Sequence, residues 1–463
     1  MLQYLHMSKI KITFAGGAQS PTGSNFLLEI GNSRFLVDCG LYQGSKIASD
    51  DNRKDFTYDV ANITAMFVTH SHLDHVGRIP KIIKDGYKGD IYSVDATKEL
   101  AAFVMADSLH VLTKESEREG LVPLYSEDDI AASLKVWHAK NYHEMTIFPT
   151  SEGDLGVRFL DAGHILGSSM IEFNLNGKKL IFSGDLGNTP SPLMKDTETI
   201  KGADYLVVES VYGDRNHEDN LEKEEKLKEI IKTTARNRGT LMVPAFSIER
   251  TQELLYYIND MVEHNQIERM PIFLDSPLAI NVTGIYKKYI HYLNTGVQSI
   301  VKSGDDIFNF PGLSMTADKE ASKAINGVPG PKIIIAGSGM MNGGRILHHA
   351  KQYLGDTKNT LLIVGYQAPG TLGRMLMEGV ARVNIKGESI EPKALITAIH
   401  GMSAHKDSSH LQEFVAEGKD TLKQVFVVLG EPKSAAFLAQ RLKDHYGLNV
   451  SVPERDQSFE IEM

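Results

Sequence analysis

The stretch Val68-Thr69-His70-Ser71-His72-Leu73-Asp74-His75-Val76-Gly77 decides the fold, because it brings four side chains that can bind a metal into six consecutive positions. His70 and His72 are two residues apart, so at the extended end of a strand both imidazoles project to one side. Asp74 and His75 follow where the chain turns toward a helix, and they can face a second ion. The alternative is a polar loop in which Asp74 caps that helix and the histidines bond to the backbone. So many ligand-type side chains after an apolar strand favour a metal site.

Two further strand ends supply candidates for the remaining ligands. His164 follows the apolar run 159–163, and Asp185 follows the run 180–184. Each residue alone is more typical of a turn than of a metal site. Together with the histidine-rich stretch, they offer the additional ligands that a closed coordination shell requires.

The composition is that of an ordinary globular protein without a general attraction to polyanions. The chain has 463 residues, of which 42% are hydrophobic. Its 49 basic and 59 acidic residues give a net charge of 49 − 59 = −10. A polyanionic substrate would therefore need a local basic groove.

The cysteine content and the beginning of the sequence suggest a cellular location. Cys39 is the only cysteine, which excludes an intramolecular disulfide and fits a reducing compartment. Residues 1–10 lack the apolar core of a signal peptide. No run of about 18 apolar residues suggests a membrane span. We expect a cytoplasmic protein that makes no membrane contact.

The spacing of apolar residues divides the chain into three sections. In residues 1–208, short β-branched runs outnumber helices, which predicts sheets packed face to face with helices outside. In residues 209–391, strands alternate with helices, the pattern of a parallel α/β sheet. Residues 392–463 are too few for a comfortable core of their own, so we expect them to complete the first domain around an insertion.

The individual elements are predicted from periodicity. The strands expected are 10–14, 25–30, 34–38, 65–69, 157–161, 170–175, 179–183, 240–243, 271–274, 332–336, 360–364, 394–399 and 424–429. The helices expected are 96–112, 126–137, 221–236, 248–263, 277–292 and 434–446.

Four motifs resemble, in order and spacing, those of the metallo-β-lactamase fold: Asp38, the stretch 70–75, His164 and Asp185. The resemblance implies an α/β fold, the metallo-β-lactamase αββα sandwich, with metals in a cleft at one edge of the sheets. It also implies that these side chains bind two zinc ions. The first ion would be held by His70, His72 and His164, the second by Asp74 and His75, with Asp185 bridging them and Asp38 supporting the site.

Five strings further along the chain narrow the resemblance to the β-CASP branch of this fold. They are Glu209-Ser210-Val211-Tyr212-Gly213-Asp214-Arg215, Pro244-Ala245-Phe246-Ser247-Ile248-Glu249-Arg250-Thr251-Gln252, Asp275-Ser276-Pro277-Leu278-Ala279, Gly337-Ser338-Gly339-Met340 and Ser403-Ala404-His405-Lys406-Asp407. The branch consists of nucleases that include ribonuclease J and the endonuclease of mRNA 3′-end processing. The resemblance implies an inserted parallel α/β β-CASP domain that caps the metal cleft, with single-stranded RNA passing between the two.

The same resemblance implies the catalytic residues Asp74, His405, Glu209 and Asp38. A metal-bound hydroxide would attack the phosphodiester, and two metals about 3.5–4 Å apart stabilise both the attacking and the leaving oxygen. His405 would donate a proton to the leaving oxygen while Glu209 holds its imidazole. Judged alone, Glu209 is more typical of a structural strand-end acid and His405 of a loop histidine.

The sequence departs from the family pattern at Leu429. The pattern has a histidine before Gly430-Glu431, and a leucine side chain cannot bind a metal. The second ion would then rely on Asp74, His75 and the bridging Asp185. We therefore expect one or two zinc ions, with the second site weak or occupied by another divalent metal. His400 is a candidate replacement ligand.

Five residues of the middle section are candidates for substrate binding. Ser338 and Gly339 lie in a glycine-rich turn between an apolar strand and a helix, where backbone amides can bind phosphate. The alternative is a tight strand-to-helix turn without a ligand. Arg345, Arg250 and Arg374 lie near such loops or helix starts, and guanidinium groups pair well with phosphate; each alone is more typical of a surface arginine.

These features lead to three functional hypotheses. The first is a metal-dependent ribonuclease that cuts single-stranded RNA internally, from the 5′ end, or both. The second is a catalytically impaired RNA-binding or partner subunit of the same family, which Leu429 favours. The third is a hydrolase of small thioesters or lactams, which the insertion and the string around His405 argue against. A homodimer is compatible with all three.

Overall fold

The strand and helix boundaries come from a computed structural model, which describes residues 8–44, 46–217, 220–365, 367–368, 370–399 and 402–463. Up to residue 217 the elements are β1 (Lys9–Gly16), β2 (Asn25–Ile30), β3 (Ser33–Val37), α1 (Lys46–Arg53), β4 (Ala65–Phe67), α2 (Leu73–Val76), α3 (Ile79–Lys84), β5 (Asp90–Val94), α4 (Asp95–Glu119), α5 (Glu127–Lys135), β6 (Trp137–Lys140), β7 (Thr146–Thr150), β8 (Gly153–Asp161), β9 (Ser169–Leu175), β10 (Lys178–Phe182) and β11 (Tyr205–Glu209).

The middle of the chain contains α6 (Asn220–Arg236), β12 (Thr240–Pro244), α7 (Arg250–Glu263), β13 (Ile272–Leu274), α8 (Pro277–Lys288), α9 (Thr295–Lys302), β14 (Leu313–Met315), α10 (Lys319–Ala324), β15 (Lys332–Ala336), α11 (Ile346–Tyr353), β16 (Thr360–Ile363), α12 (Leu372–Met377), β17 (Val383–Ile385), β18 (Glu388–Ile390) and β19 (Leu395–Ala398). The last elements are α13 (Ser408–Ala416), β20 (Gln424–Val428), α14 (Pro432–Tyr446), β21 (Val450–Ser451) and β22 (Ser458–Glu462).

Two seven-stranded sheets form the first of two units, which comprises residues 1–216 and 405–463. The strand orders are β22-β1-β2-β3-β4-β5-β6 and β21-β20-β11-β10-β9-β8-β7. One half of each sheet is parallel, β3 to β6 in the first and β10, β11, β20 and β21 in the second. The remaining pairs are antiparallel, and the first half of β1 alternates exposed with buried side chains.

Aromatic side chains hold the two sheets together. Phe67 lies 5.3 Å from Phe173 between ring centroids, and Phe14 lies 5.3 Å from Phe426, so each pair joins a strand of one sheet to a strand of the other. Helix α4 packs on the first sheet and α14 on the second. This is the sandwich, with helices outside, that the sequence predicted.

A six-stranded sheet forms the core of the second unit, residues 217–404. The order is β14-β13-β15-β12-β16-β19, and every pair in it is parallel. Its central strands β12 and β15 are buried throughout, as expected for a sheet covered on both faces. The parallel α/β insertion expected from the alternation of strands and helices is therefore present.

Two boundaries differ from the sequence-based expectation. The strand expected at 65–69 ends at Phe67, because the Thr69 amide donates to the side chain of Asp38 instead of to a backbone carbonyl of β5. The section boundary expected at residue 391 precedes β19, yet β19 pairs in parallel with β16 in the sheet of the second unit. The apolar spacing of a short edge strand does not specify which sheet it joins. Among the described helices, none has both the length and the apolar character needed to cross a membrane.

Candidate metal centre

The metal-ligand candidates lie where parallel strands of the first unit end. Asp38 follows β3, the histidine-rich stretch follows β4, Asp185 follows β10, and Glu209 is the last residue of β11. Because parallel strands have their carboxyl ends at the same edge of a sheet, side chains from distant parts of the sequence meet there. The architecture therefore assembles the site from separate loops.

Asp38 is the residue that organises this edge. It is fully buried, with a left-handed backbone (φ 59), and its Oδ1 accepts a hydrogen bond from the Thr69 amide at 2.8 Å. Its Oδ2 accepts one from the Ser24 hydroxyl at 2.9 Å and lies 2.7 Å from His75 Nδ1. Asp38 thus holds the loop of the histidine stretch and directs Nε2 of His75 away from itself.

Three imidazoles and one carboxylate converge beside Asp38. His72 Nδ1 lies 3.1 Å from His70 Nε2 and 3.3 Å from His164 Nε2. Asp185 Oδ2 lies 3.4 Å from His70 Nε2 and 3.6 Å from His164 Nε2. Candidate ligand atoms of these four residues all lie within 4.8 Å of one another. The sequence-predicted ligands of the first ion are therefore brought together.

The electrostatics of this cluster suit a cation. Burial, and then the neighbouring imidazoles, lower the pKa of His70, His72 and His164, so their nitrogen lone pairs stay available. Burial would raise the pKa of Asp185, but the surrounding histidines outweigh it and hold that pKa well below its usual range. Asp185 Oδ1 is buried, yet it accepts no hydrogen bond from any described residue. A bound metal ion would provide the partner that this buried oxygen lacks.

The second half of the expected site is less complete. His75 Nε2 lies 3.4 Å from Asp185 Oδ1. Burial would lower the pKa of His75, but the carboxylates of Asp185 and Asp38 outweigh burial and raise that pKa. Asp74 lies within α2 and does not cap it, because the residue at the cap position is His72. Within the described part of the chain, Asp74 belongs to neither group of side chains whose atoms converge closely enough to bind one ion.

Leu429 lies at the same edge of the second sheet, directly after β20. Its neighbour Val428 is paired with Glu209, its amide donates to the Gly17 carbonyl at 2.7 Å, and its side chain is buried. A Cβ atom on Gly17 would lie 2.7 Å from Leu429 Cδ2 and 3.3 Å from Ser24 Cα. The leucine therefore packs beside the loop that supports Asp38. The proposed replacement ligand, His400, lies outside the described residues.

Glu209 and His405 form a pair next to Asp185. His405 Nδ1 lies 3.1 Å from Glu209 Oε1 and 3.9 Å from Asp185 Oδ2. Glu209 is fully buried, and its carboxylate also accepts hydrogen bonds from the amides of Leu186 and Val211. Burial would lower the pKa of His405, but the two carboxylates outweigh it and raise that pKa to about 9. The histidine is partly exposed, so its ring can reach a substrate.

The candidate substrate residues lie in the second unit in different surroundings. Ser338 and Gly339 belong to the loop between β15 and α11. Arg345 Nη1 donates to Asp275 Oδ1 at 2.7 Å, and the same guanidinium bonds to the carbonyls of Thr316 and Ala317. The guanidinium group of Arg345 thus holds the loop between β15 and α11 in place.

The other two arginines are also paired with carboxylates. Arg250 is buried and forms an ion pair with Glu253. Arg374 forms an exposed pair with Glu378, with 2.6 Å between Nε and Oε1. Of the three arginines, Arg374 has the most exposed side chain, and its partner Glu378 is also exposed. Arg345 and Arg250 could bind a ligand only by breaking an ion pair with a buried carboxylate.

Sequence reasoning did not identify Ser24 and Thr69 as parts of the site. Both hydroxyls donate to the carboxylate of Asp38. Thr69 precedes His70 in the decisive stretch, so its position offered a signal. Ser24 is distant in sequence from the other residues, and only the folded chain brings it to Asp38.

Comparison with known proteins covers nearly the whole chain. Residues 22–233 match the metallo-β-lactamase superfamily, residues 251–376 the Beta-Casp domain, and residues 389–453 the Zn-dependent metallo-hydrolase RNA specificity domain. Ribonuclease TTHA0252 of Thermus thermophilus is 35% identical over 94% of this chain and 96% of its own length. The RNase J-like protein of Methanocaldococcus jannaschii is 32% identical over 96% and 98%, respectively.

A further relative and a solved structure of similar fold extend this comparison. Transcription termination factor FttA of Methanosarcina mazei is 30% identical over 93% of this chain and 68% of its own. A crystal structure of a protein of unknown function from Enterococcus faecalis V583 has a TM-score of 0.57 at 13% identity, covering 98% of this chain and 100% of that one. The latter similarity concerns the fold alone.

Proposed function

The chain belongs to the β-CASP family of metallo-β-lactamase-fold nucleases, and we propose that it is a metal-dependent ribonuclease that hydrolyses single-stranded RNA. The observation that carries this proposal is the convergence of His70, His72, His164 and Asp185, with ligand atoms within 4.8 Å of one another. Three imidazole nitrogens and one carboxylate oxygen match the ligands and the coordination number that zinc prefers.

In this proposal the four residues hold one zinc ion firmly. When bound, the ion supplies Lewis-acid chemistry, because it lowers the pKa of a water molecule and neutralises charge on the phosphoryl group. A second ion would be held by Asp74, His75 and Asp185, whose Oδ1 lies 3.4 Å from His75 Nε2. We propose that this second ion is weakly bound, since Leu429 provides no ligand.

His405 is the proposed general acid. Its Nδ1 lies 3.1 Å from Glu209 Oε1, and we propose Nε2 as the nitrogen that delivers the proton. As the P–O bond breaks, Nε2 gives its proton to the departing oxygen, and Glu209 stabilises the orientation of the ring throughout. Asp38 contributes by holding His75 and the metal-binding loop.

Ser338 and Gly339 are the proposed phosphate contacts of the second unit, together with the exposed Arg374. Arg345 and Arg250 are weaker candidates for phosphate contacts than Arg374. Their guanidinium groups already pair with the carboxylates of Asp275 and Glu253, respectively. Phosphate would have to compete with those carboxylates for the same donors. The proposal also places the chain in the cytoplasm, in keeping with its single, buried cysteine.

An assay on end-labelled single-stranded RNA tests the function. We expect cutting with zinc or manganese present, and loss of cutting after chelation or with Asp185→Asn. The lengths of the labelled products distinguish internal cuts from removal of 5′ nucleotides. Intact RNA under all metal conditions would contradict an active ribonuclease.

A catalytically impaired partner subunit is the second candidate, and Leu429 is the observation that favours it. The metal content of the purified chain separates the two candidates. An RNA-binding chain with no bound metal supports the impaired subunit, whereas one or two ions per chain together with cutting supports the enzyme.

A further inference from the structure

The second unit presents an exposed aromatic ring at the carboxyl ends of its central strands. Strands β15, β12 and β16 are neighbours and run parallel, so the loops that follow them meet at one edge. Phe246 comes two residues after β12, and it is 38% exposed. More than a third of the surface of Phe246 is therefore open to solvent, at a strand end where the loops of three parallel strands meet.

Two glycines from the neighbouring loops form the surface on which this ring lies. A Cβ atom on Gly339, after β15, would come within 2.7 to 3.0 Å of three ring carbons of Phe246. A Cβ atom on Gly365, after β16, would come within 3.1 to 3.4 Å of two of them. No larger residue fits at Gly339 without displacing the ring. The backbone of two loops therefore packs against the Cδ2–Cε2 side of the Phe246 ring.

Hydrogen bonds hold this arrangement in place. The buried amide of Gln367 donates to the Gly339 carbonyl at 2.9 Å and to the Gly365 carbonyl at 3.2 Å, which ties the two glycine loops together. The Thr251 hydroxyl donates to the carbonyl of Phe246 at 2.7 Å. These hydrogen bonds hold the two glycine loops and the backbone of Phe246 in place before any ligand arrives, which reduces the entropy lost on binding.

The position of the ring in the sheet is one where ligands commonly bind. From β12 the chain crosses β15 to reach β13, whereas from β15 it crosses β12 to reach β16. The two neighbouring strands therefore send their loops in opposite directions, which creates a crevice at the carboxyl ends of an open parallel sheet. Phe246 and Gly339 belong to the two loops that border this crevice.

The polar groups around the ring indicate the kind of ligand. A Cβ atom on Gly337 would lie 3.5 Å from the Ser276 hydroxyl and 3.8 Å from the Ser247 hydroxyl, so two serines flank the same loop. A partly exposed aromatic ring near hydroxyls and glycine backbone matches one flat base attached to a polar sugar and phosphate. A protein partner would more typically be met by a continuous apolar patch.

We propose that Phe246 is a stacking platform for one base of the single-stranded RNA substrate, which rests on the proposed ribonuclease function. Stacking on an aromatic face is sequence-tolerant, since every base has such a face. Phe246 would therefore bind and position RNA without selecting its sequence. It is a binding residue and takes no part in the chemical step.

Equilibrium binding and cleavage of a fluorescein-labelled, unstructured RNA test the proposal with Phe246→Leu and Phe246→Trp. The leucine keeps the apolar contact with the glycines but lacks the aromatic face. We expect it to weaken binding and raise KM about tenfold with kcat within twofold, while tryptophan retains binding. Phe437→Leu is the matched control, because Phe437 is 37% exposed on α14 of the other unit. Wild-type affinity in the leucine variant would overturn the platform.

A fully abasic strand of the same length gives a second readout, because it keeps the sugars and phosphates but has no base to stack. Wild-type protein should bind the abasic strand about tenfold less well than the intact RNA, and this difference should be much smaller for Phe246→Leu. Equal binding of the two strands by the wild-type protein would overturn the proposal, even if the leucine variant failed to fold. Binding without any cutting would instead contradict the ribonuclease function and leave the stacking result to be judged on its own.

Discussion

Asp38 shows at the scale of single residues how a side chain that binds no metal can govern a metal site. It contacts Ser24, Thr69 and His75, which come from two loops of the first unit. The contact to His75 selects which ring nitrogen faces Asp185. Leu429 acts in the opposite sense, because it places an apolar side chain where the family pattern has a ligand.

Asp38→Ala should weaken metal binding by about 10- to 100-fold, the usual effect of losing a residue that orients a ligand. The hydroxyls of Ser24 and Thr69 would lose their acceptor, and His75 would be free to turn. Competition with a chromophoric chelator measures the change. Asp90→Ala is the control, since Asp90 is an exposed carboxylate paired with His138. An affinity equal to that of the wild-type chain would show that Asp38 has no such role.

Leu429→His should increase the number of metal ions bound per chain from about one toward two. The backbone at this position is left-handed (φ 50), a conformation that histidine adopts more readily than leucine. Elemental analysis after gel filtration in metal-free buffer gives the stoichiometry. Leu429→Asn is the control, because asparagine tolerates the same backbone but lacks an imidazole. Two firmly bound ions in the wild-type chain would refute the incomplete second site.

At the scale of elements, the start of α7 is unusual because it buries acidic side chains. Glu249, at the cap position, has a left-handed backbone (φ 63) and a buried carboxyl group. Tyr286 donates a hydrogen bond to its Oε2 at 2.5 Å. Burial, and then repulsion from Glu253, raises the pKa of Glu249 to about 8, although Tyr286 and Arg250 oppose the change. The helix therefore begins at a carboxyl group that prefers to be protonated.

This pKa predicts a pH-dependent stability of the second unit. In the folded chain Glu249 keeps its proton up to about pH 8, whereas its ordinary value is 4.5. Between these values the unfolded state binds fewer protons, so the contribution of Glu249 to stability is present below pH 4.5 and is lost as the pH rises toward 8. Glu249→Gln, which cannot ionise, should therefore become more stable relative to the wild-type chain as the pH rises.

Urea unfolding of both proteins at pH 5 and at pH 8.5 measures this difference. The control is Glu320→Gln, because Glu320 is an exposed carboxylate of α10 that pairs with Lys323. Its stability relative to the wild-type chain should not change with pH. A constant difference for Glu249→Gln as well would show that Glu249 is ionised in the folded chain.

At the scale of the whole molecule, the candidate metal ligands and the proposed RNA platform belong to different units. All the described metal-binding candidates lie in residues 1–216 and 405–463, whereas Phe246 and its glycines lie in residues 217–404. Each unit has its own sheets and its own buried apolar core. Loss of metal should therefore affect the two units differently.

Chelation should destabilise the first unit and spare the second. A ligand present at 100 times its dissociation constant stabilises the folded state by about 2.7 kcal/mol, and this is lost when the ion is removed. Hydrogen exchange with and without chelator is the measurement, with peptides from α2 compared with peptides from β12 and β15. Faster exchange in both sets would show that the units unfold together, and no change in α2 would argue against the metal site.

Much of the secondary structure was predictable because apolar periodicity is local. The strand expected at 25–30 is β2, and the helix expected at 434–446 begins only two residues earlier, at Pro432. The helix expected at 277–292 ends at Lys288 and is followed by a 3₁₀ turn at Ile290–Tyr292. Helix ends depend on capping contacts as well as on periodicity, so they are less well predicted.

The sequence by itself determined the ligand types of the metal centre and their local order, because His70, His72, Asp74 and His75 are neighbours along the chain. It also determined the alternation of strands and helices, since periodicity depends on nearby residues. Only the tertiary structure decided that the first group of ligands converges while Asp74 stays outside it. It likewise decided that Phe246 lies on two glycines from other loops. Those contacts depend on which strands become neighbours, and strand order is set by packing across the whole sheet.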